Sequence, residues 1–130
     1  MYDIVYFVKD TRVNEELKYS LRTLKNFPHR KVWFYGGCPD GLKQDKHIKV
    51  VQDKPTKWEN IFKMFKMACE NNDITKDFWL FNDDFFVMQK VKKGPNWNNG
   101  DLYKRVVTLE DKHGGITPYS QQLRYTLQEL

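Results

Sequence analysis

Asn82, Asp83 and Asp84 interrupt an otherwise apolar run, with Phe78-Trp79-Leu80-Phe81 before them and Phe85-Phe86-Val87-Met88 after. Two adjacent carboxylates inside an aromatic segment of strand character are costly to place unless they are solvated, paired or bound to a cation. A strand that crosses a core and ends on an Asp pair presents hard oxygen ligands to a divalent ion. Such donors suit magnesium or manganese, which in turn suit a diphosphate. The plainer reading is a solvated turn after a strand, with one Asp bonding its own backbone. Because aromatic residues continue on both sides, the metal reading is preferred, with Asp84 and Asp83 as the ligands.

Other residues could join such a site. Lys9, Asp10 and Arg12 follow an apolar run and are either a polar strand exit or part of a nucleotide-binding rim. Gly36 and Gly37 permit close backbone approach to a ligand or simply make a turn. Lys57, Asn60 and Lys63 lie opposite or beside the apolar stripe of an expected helix; Asn60 sits near its start, where a diphosphate could lie, whereas Lys63 reads as a solvated helix face. Trp97, in a Gly/Asn-rich loop, is either a sugar-stacking platform or a lid residue that packs inward. His29, His47 and His113 are scattered and none pairs locally with Ser or Cys. No Gly-rich phosphate loop of the dinucleotide or P-loop kind occurs.

The elements that must position these groups alternate. Asp3 to Val8 is a continuous apolar run, expected to be a buried strand. From a cap at Asn14, with Glu15 and Glu16 in the first turn, Leu17, Leu21 and Leu24 recur at helical spacing until Pro28. Lys31 to Tyr35 is a second buried strand, closed by Gly36-Gly37, and His47 to Val51 a short third. After Pro55, Trp58, Ile61, Phe62, Phe65 and Ala68 line a helix to about Asn71. The run from Phe78 to Met88 is the fourth strand. Beyond Val91 the character changes to a turn-rich loop, a helix through Leu102, Val106 and Leu109 that stops at Gly114-Gly115, and another opened by Thr117-Pro118.

This alternation predicts an α/β fold with a mainly parallel, Rossmann-like sheet in a three-layer α/β/α arrangement. In such sheets ligands gather at the carboxyl ends of the strands. Those ends are residues 9–12, 35–38 and 82–84. Residues 1–91 form the core of the fold, and 92–130 add a loop and helices to the same domain.

Composition narrows the class. With 130 residues, 40% hydrophobic and 15% aromatic, the chain can bury a core and disorder is not expected. Its net charge of +5, from 22 Lys and Arg against 17 Asp and Glu, favours an anionic partner: a phosphate-bearing metabolite, nucleic acid or an acidic membrane surface. Nucleic acid is the weakest of these, because the aromatics fall in strands that read as buried. No stretch reads as a signal peptide or a membrane span, and the two cysteines read as free thiols. The expected location is cytoplasmic, with peripheral membrane contact left open.

Taken in order, Asp3-Ile4-Val5-Tyr6, then Asn14-Glu15-Glu16-Leu17-Lys18-Tyr19-Ser20-Leu21-Arg22, then Phe81-Asn82-Asp83-Asp84-Phe85-Phe86 resemble GT-A-type glycosyltransferases. Bacterial and phage polysaccharide-synthesis proteins, including the Stealth-type sugar-phosphate transferases, are the most similar. The resemblance runs from the start to roughly Val91. It implies a nucleotide-diphospho-sugar transferase fold lacking part of the C-terminal acceptor half. Asn82-Asp83-Asp84 would stand at the family's DxD position, with Asn82 in place of the first Asp, so that Asp84 mainly holds Mn2+ or Mg2+. Asp83 would be nearer the donor sugar and is the candidate catalytic residue. Val8, Lys9, Asp10 and Arg12, with Tyr35 and Gly36, would cradle the base and ribose, and Asn60 would meet the nucleotide. His113 is a nominal further metal ligand. The implied donor is a nucleotide sugar, foremost a UDP-sugar, and the acceptor a glycan or a lipid-linked one. The same donor site would also serve sugar-1-phosphate transfer or a non-catalytic binding remnant.

Overall fold

A computed structural model describes residues 1–94 and 100–129, so Trp97 lies outside the described residues. The chain forms two compact units, divided after Gly94. In the first, four strands make one sheet: β1 (Asp3–Val8), β2 (Val32–Gly36), β3 (Lys46–Lys49) and β4 (Phe78–Phe81). Their order is β3-β2-β1-β4 and every pairing is parallel. The chain therefore builds outward from β1 through β2 to β3, then returns to the other side of β1 for β4. That reversal puts a topological switch point between β1 and β4.

Parallel strands covered on both faces need apolar side chains along their length, and β2 and β1 beyond Asp3 comply. Ile4, Tyr6 and Val8 pack with Val32 and Phe34 on one face, against Leu17 and Leu24. Val5, Trp33 and Tyr35 face the other way, against Met64 and Ala68. The helices carrying these partners, α1 (Glu15–Thr23) and α2 (Lys57–Glu70), thus lie on opposite faces, and the three-layer order follows. Asn14 caps α1 by accepting from the Leu17 N–H, and a short 3-10 turn, Leu24–Asn26, extends it. Thr56 and Glu59 close a capping box at the start of α2.

Three expectations change. The fourth strand ends at Phe81; a turn follows, and Phe85, Phe86 and Met88 are exposed outside the sheet. The third strand, Lys46–Lys49, lies at an edge and is mostly exposed. On α2 the buried residues are Asn60, Met64 and Ala68, whereas Trp58, Phe62 and Phe65 are exposed. This helix is apolar on more than one side, so periodicity alone does not fix which side is inward.

Opposite the carboxyl rim, Asp3 is fully buried and its carboxylate is saturated. One oxygen accepts from Arg30 Nε (2.7 Å) and the Lys31 N–H (3.1 Å); the other accepts from Arg30 Nη2 (2.8 Å), Trp33 Nε1 (3.1 Å) and the Thr75 N–H (3.2 Å). Residues entering β2 and β4 are thereby tied to the start of β1.

The second unit is a helical hairpin. Asp101 caps α3 (Leu102–His113), and Gly114, at φ 70°, ends it in the left-handed conformation. Thr117 and Ser120 exchange hydrogen bonds at the start of α4 (Pro118–Glu129), and Arg124 forks onto Glu110 to join the two helices.

Candidate functional site

With every strand parallel, the exits of β2, β1 and β4 share one edge of the sheet. Asn82-Asp83-Asp84 leaves β4 in a tight turn closed by the Phe85 N–H on the Asn82 carbonyl, at 3.1 Å. Asp83 and Asp84 occupy its two central positions, beside the β1–β4 switch point.

The two carboxylates differ. Asp83 is half-buried, and its Oδ2 accepts from Asn14 Nδ2 at 3.1 Å. Since Asn14 Oδ1 takes the Leu17 N–H at 2.9 Å, one side chain both starts α1 and orients Asp83. Asp84 is exposed and has no hydrogen-bond or ion-pair partner among the described residues. The pair therefore offers one oriented and one freely turning carboxylate, all hard oxygen donors. Among the described residues no group of three or more His, Cys, Asp or Glu is gathered to hold a metal. Two carboxylates fit an ion that arrives with water and phosphate oxygens completing its shell, as magnesium and manganese do on nucleotides.

Asn14→Ala should cost about 1 kcal/mol of stability through the lost cap. On the metal reading of the turn, it should also weaken manganese-dependent nucleotide binding by roughly tenfold, because Asp83 loses its orienting partner. Asn14→Asp keeps a cap but sets a like charge beside Asp83, so calorimetric titration of both variants separates the two roles.

The segment after the turn is strapped to α1. Ser20 has one hydroxyl proton and donates it to the Phe85 carbonyl at 2.6 Å, so the Tyr6 hydroxyl, 2.8 Å from Ser20 Oγ, is the donor to Ser20. Thr23 Oγ1 accepts the Val87 N–H, and Asn26 Nδ2 donates to the Val87 carbonyl. Burial pushes the Tyr6 hydroxyl up to about 12, and the charge of Asp83 adds to the rise. Tyr6 thus stays protonated near neutral pH and remains a donor to this relay.

The other expected site residues divide. Lys9, Asp10 and Arg12 are exposed at the β1 exit, and Arg12 pairs with Asp40 at 3.3 Å. Val8 is buried, and its carbonyl already accepts from the Gly37 N–H and Gln52 Nε2. Gly36, at φ 105°, would put a Cβ 2.3 Å from that carbonyl, so its need for glycine is satisfied within the protein. The Tyr35 side chain is buried beneath α2 with its hydroxyl on Asn71, and burial raises its pKa despite that bond. Asn60 is also buried: its amide bonds the backbone of Lys54 and Thr56, fastening the loop before α2. The side chains of Tyr35 and Asn60 therefore brace the rim from within. His113 lies in the last turn of α3, in the second unit.

No protein-family model matches the chain, and neither a curated protein nor a solved structure does. What the site can do therefore rests on its own chemistry.

A groove of about 620 Å³ opens between α1 and the loop after β2, lined by Val13, Asn14, Lys18, Leu21, Arg22 and residues 40–43 among others. Asn14 is at once part of its wall and the partner of Asp83. Its acids are engaged, Glu15 with Lys18 and Asp40 with Arg12, while Arg22 and Lys43 have no carboxylate partner among the described residues. The groove therefore favours an anion over a cation. Sequence reading missed both this groove and the strap ladder of Ser20, Thr23 and Asn26. The available signal was Ser20 standing three residues after Leu17, on the buried side of α1.

Proposed function

We propose that this chain is a GT-A-like, metal-dependent transferase domain of the cytoplasm. It binds a nucleotide-diphosphate sugar and moves the glycosyl group to a glycan or lipid-linked acceptor. The observation that carries the reading is the Asp83-Asp84 turn at the carboxyl end of β4, oriented from α1 by Asn14 beside the switch point. Asp84, with the free oxygen of Asp83, would hold Mn2+ or Mg2+. The ion, when bound, offsets charge developing on the leaving diphosphate. Asn14 keeps Asp83 in place, and the strap of residues 85–87 keeps the turn from drifting away from the rim. Lys9, Asp10 and Arg12 give the rim exposed polar groups for base and ribose, and Arg22 and Lys43 make the adjoining groove hospitable to phosphate. Transfer of sugar-1-phosphate would use the same donor geometry.

The test is a thermal-shift screen of nucleotide sugars with and without manganese. A UDP-sugar at 100 times its Kd should stabilise the protein by about 2.7 kcal/mol, and only with metal present. Equal melting temperatures in every arm would remove the reading. Product analysis of a responding donor then separates glycosyl from sugar-phosphate transfer.

A further inference from the structure

The outward face of α2 is unexplained by the fold. Met64 and Ala68 already pack this helix on the sheet, yet Trp58, Phe62 and Phe65, at i, i+4 and i+7, are 66%, 68% and 41% exposed. Cys69 continues the same stripe by one turn and is also exposed. Phe65 rests edgewise on Phe7 and tilted on Phe78, so the stripe is continuous with the sheet. Beyond it, Leu80 of the edge strand β4, in register with Val5 and so on the α2 side, is 45% exposed. A surface of this extent marks an interaction site.

Its rim identifies the partner. Lys57 places Nζ 5.6 Å from the centre of the Trp58 ring and has no carboxylate partner among the described residues. A lysine in the first turn opposes the helix dipole, so helix stability does not account for it. Lys66 is exposed on the other flank, 3.9 Å from Glu70. Aromatics between lysines on one helix face suit the boundary between lipid headgroups and acyl chains, with the cations among anionic phosphates. The chain's net charge of +5 adds to the attraction of an anionic surface and opposes contact between copies.

We propose that Trp58, Phe62 and Phe65 on α2, continued by Leu80 on β4, form a face that docks on anionic membrane surfaces, with Lys57 and Lys66 as its cationic rim. Docking requires neither nucleotide nor metal, so it stands or falls separately from the transferase reading.

The whole chain is sedimented with vesicles of phosphatidylcholine containing about 30% phosphatidylglycerol. Binding is expected, and a Trp58→Ser/Phe62→Ser variant should lose at least about tenfold in partitioning. Both positions are exposed, so its circular dichroism and melting should match the parent. Independently, Cys38→Ser leaves Cys69 as the single thiol. An environment-sensitive fluorophore there should shift to the blue with anionic vesicles but not with pure phosphatidylcholine. A parent protein that stays in the supernatant overturns the proposal, as does a double variant that pellets equally well. A dimer that is abolished by the double substitution, without vesicle binding, assigns the face to a second copy and overturns it too.

Discussion

Asp84→Asn should weaken manganese-dependent binding of a UDP-sugar by at least about 100-fold, roughly 2.7 kcal/mol, while leaving the melting temperature unchanged. The two halves of this result follow from one fact. Asp84 is exposed and has no partner among the described residues, so its charge contributes nothing to the fold that the amide would forfeit. Surface changes of that kind stay within about 0.5 kcal/mol. A hard divalent ion, in contrast, discriminates strongly between a carboxylate and an amide oxygen, and the turn offers only two carboxylates. Asp83→Asn should show the same binding loss but a different structural signature. Its amide oxygen can still accept from Asn14, so the start of α1 is kept while the ligand charge is removed. Calorimetric titration with and without manganese reads both variants. Unchanged affinity in Asp84→Asn would reduce the Asp pair to a solvated turn.

The order of elements was legible because each carries a local signal. Asn14 before two glutamates marks a helix start, Thr117-Pro118 another, and Gly114 a helix end, and all three fall where the caps are. Parallel pairing was legible in the unbroken apolar runs of β1 and β2. Less legible was anything that depends on which side of an element faces inward. On α2, Asn60 reads as polar and therefore outward, yet it is buried because its amide is matched to the backbone of Lys54 and Thr56. Tyr35 at a strand end reads as a rim residue, but the pleat turns its ring beneath α2. The long run from Phe78 to Met88 reads as one strand because Phe85 and Phe86 are apolar. Its continuation is instead held by side chains of α1 and of the 3-10 turn that extends it, a long-range arrangement with no local mark. The Asp pair was found because it violates its local context, which is the kind of signal a site leaves in a single sequence.

Asp3→Asn should destabilise the fold far more than either substitution in the Asp turn, costing about 3 kcal/mol and lowering the melting temperature by roughly 10 °C. The carboxylate accepts five hydrogen bonds, from Arg30, Trp33 and the backbone of Lys31 and Thr75. Replacing one oxygen by an NH2 group turns an acceptor toward donors and strands Arg30 beside a neutral amide. The lower end of the usual range of roughly 3–5 kcal/mol for breaking a buried pair applies, because the Arg30 side chain is 42% exposed and can turn to water. The same carboxylate should give the protein an acid-labile stability. Burial alone would raise the Asp3 pKa, but the bonds from Arg30, then those from Thr75 and Trp33, outweigh it and hold the group below its ordinary 3.8. Depression in the folded state means that the unfolded chain binds the proton first. The stabilisation is therefore full above the unfolded pKa and is lost as pH falls through 3.8 toward the lower folded value. Urea midpoints of the parent should fall steeply on acidification below about pH 4, and those of Asp3→Asn should start lower and lose that part of the slope. Parallel curves for the two proteins would show that another carboxylate sets the acid limit, since among the described residues Asp3 alone fastens the entries of β2 and β4 to β1 through one buried charge.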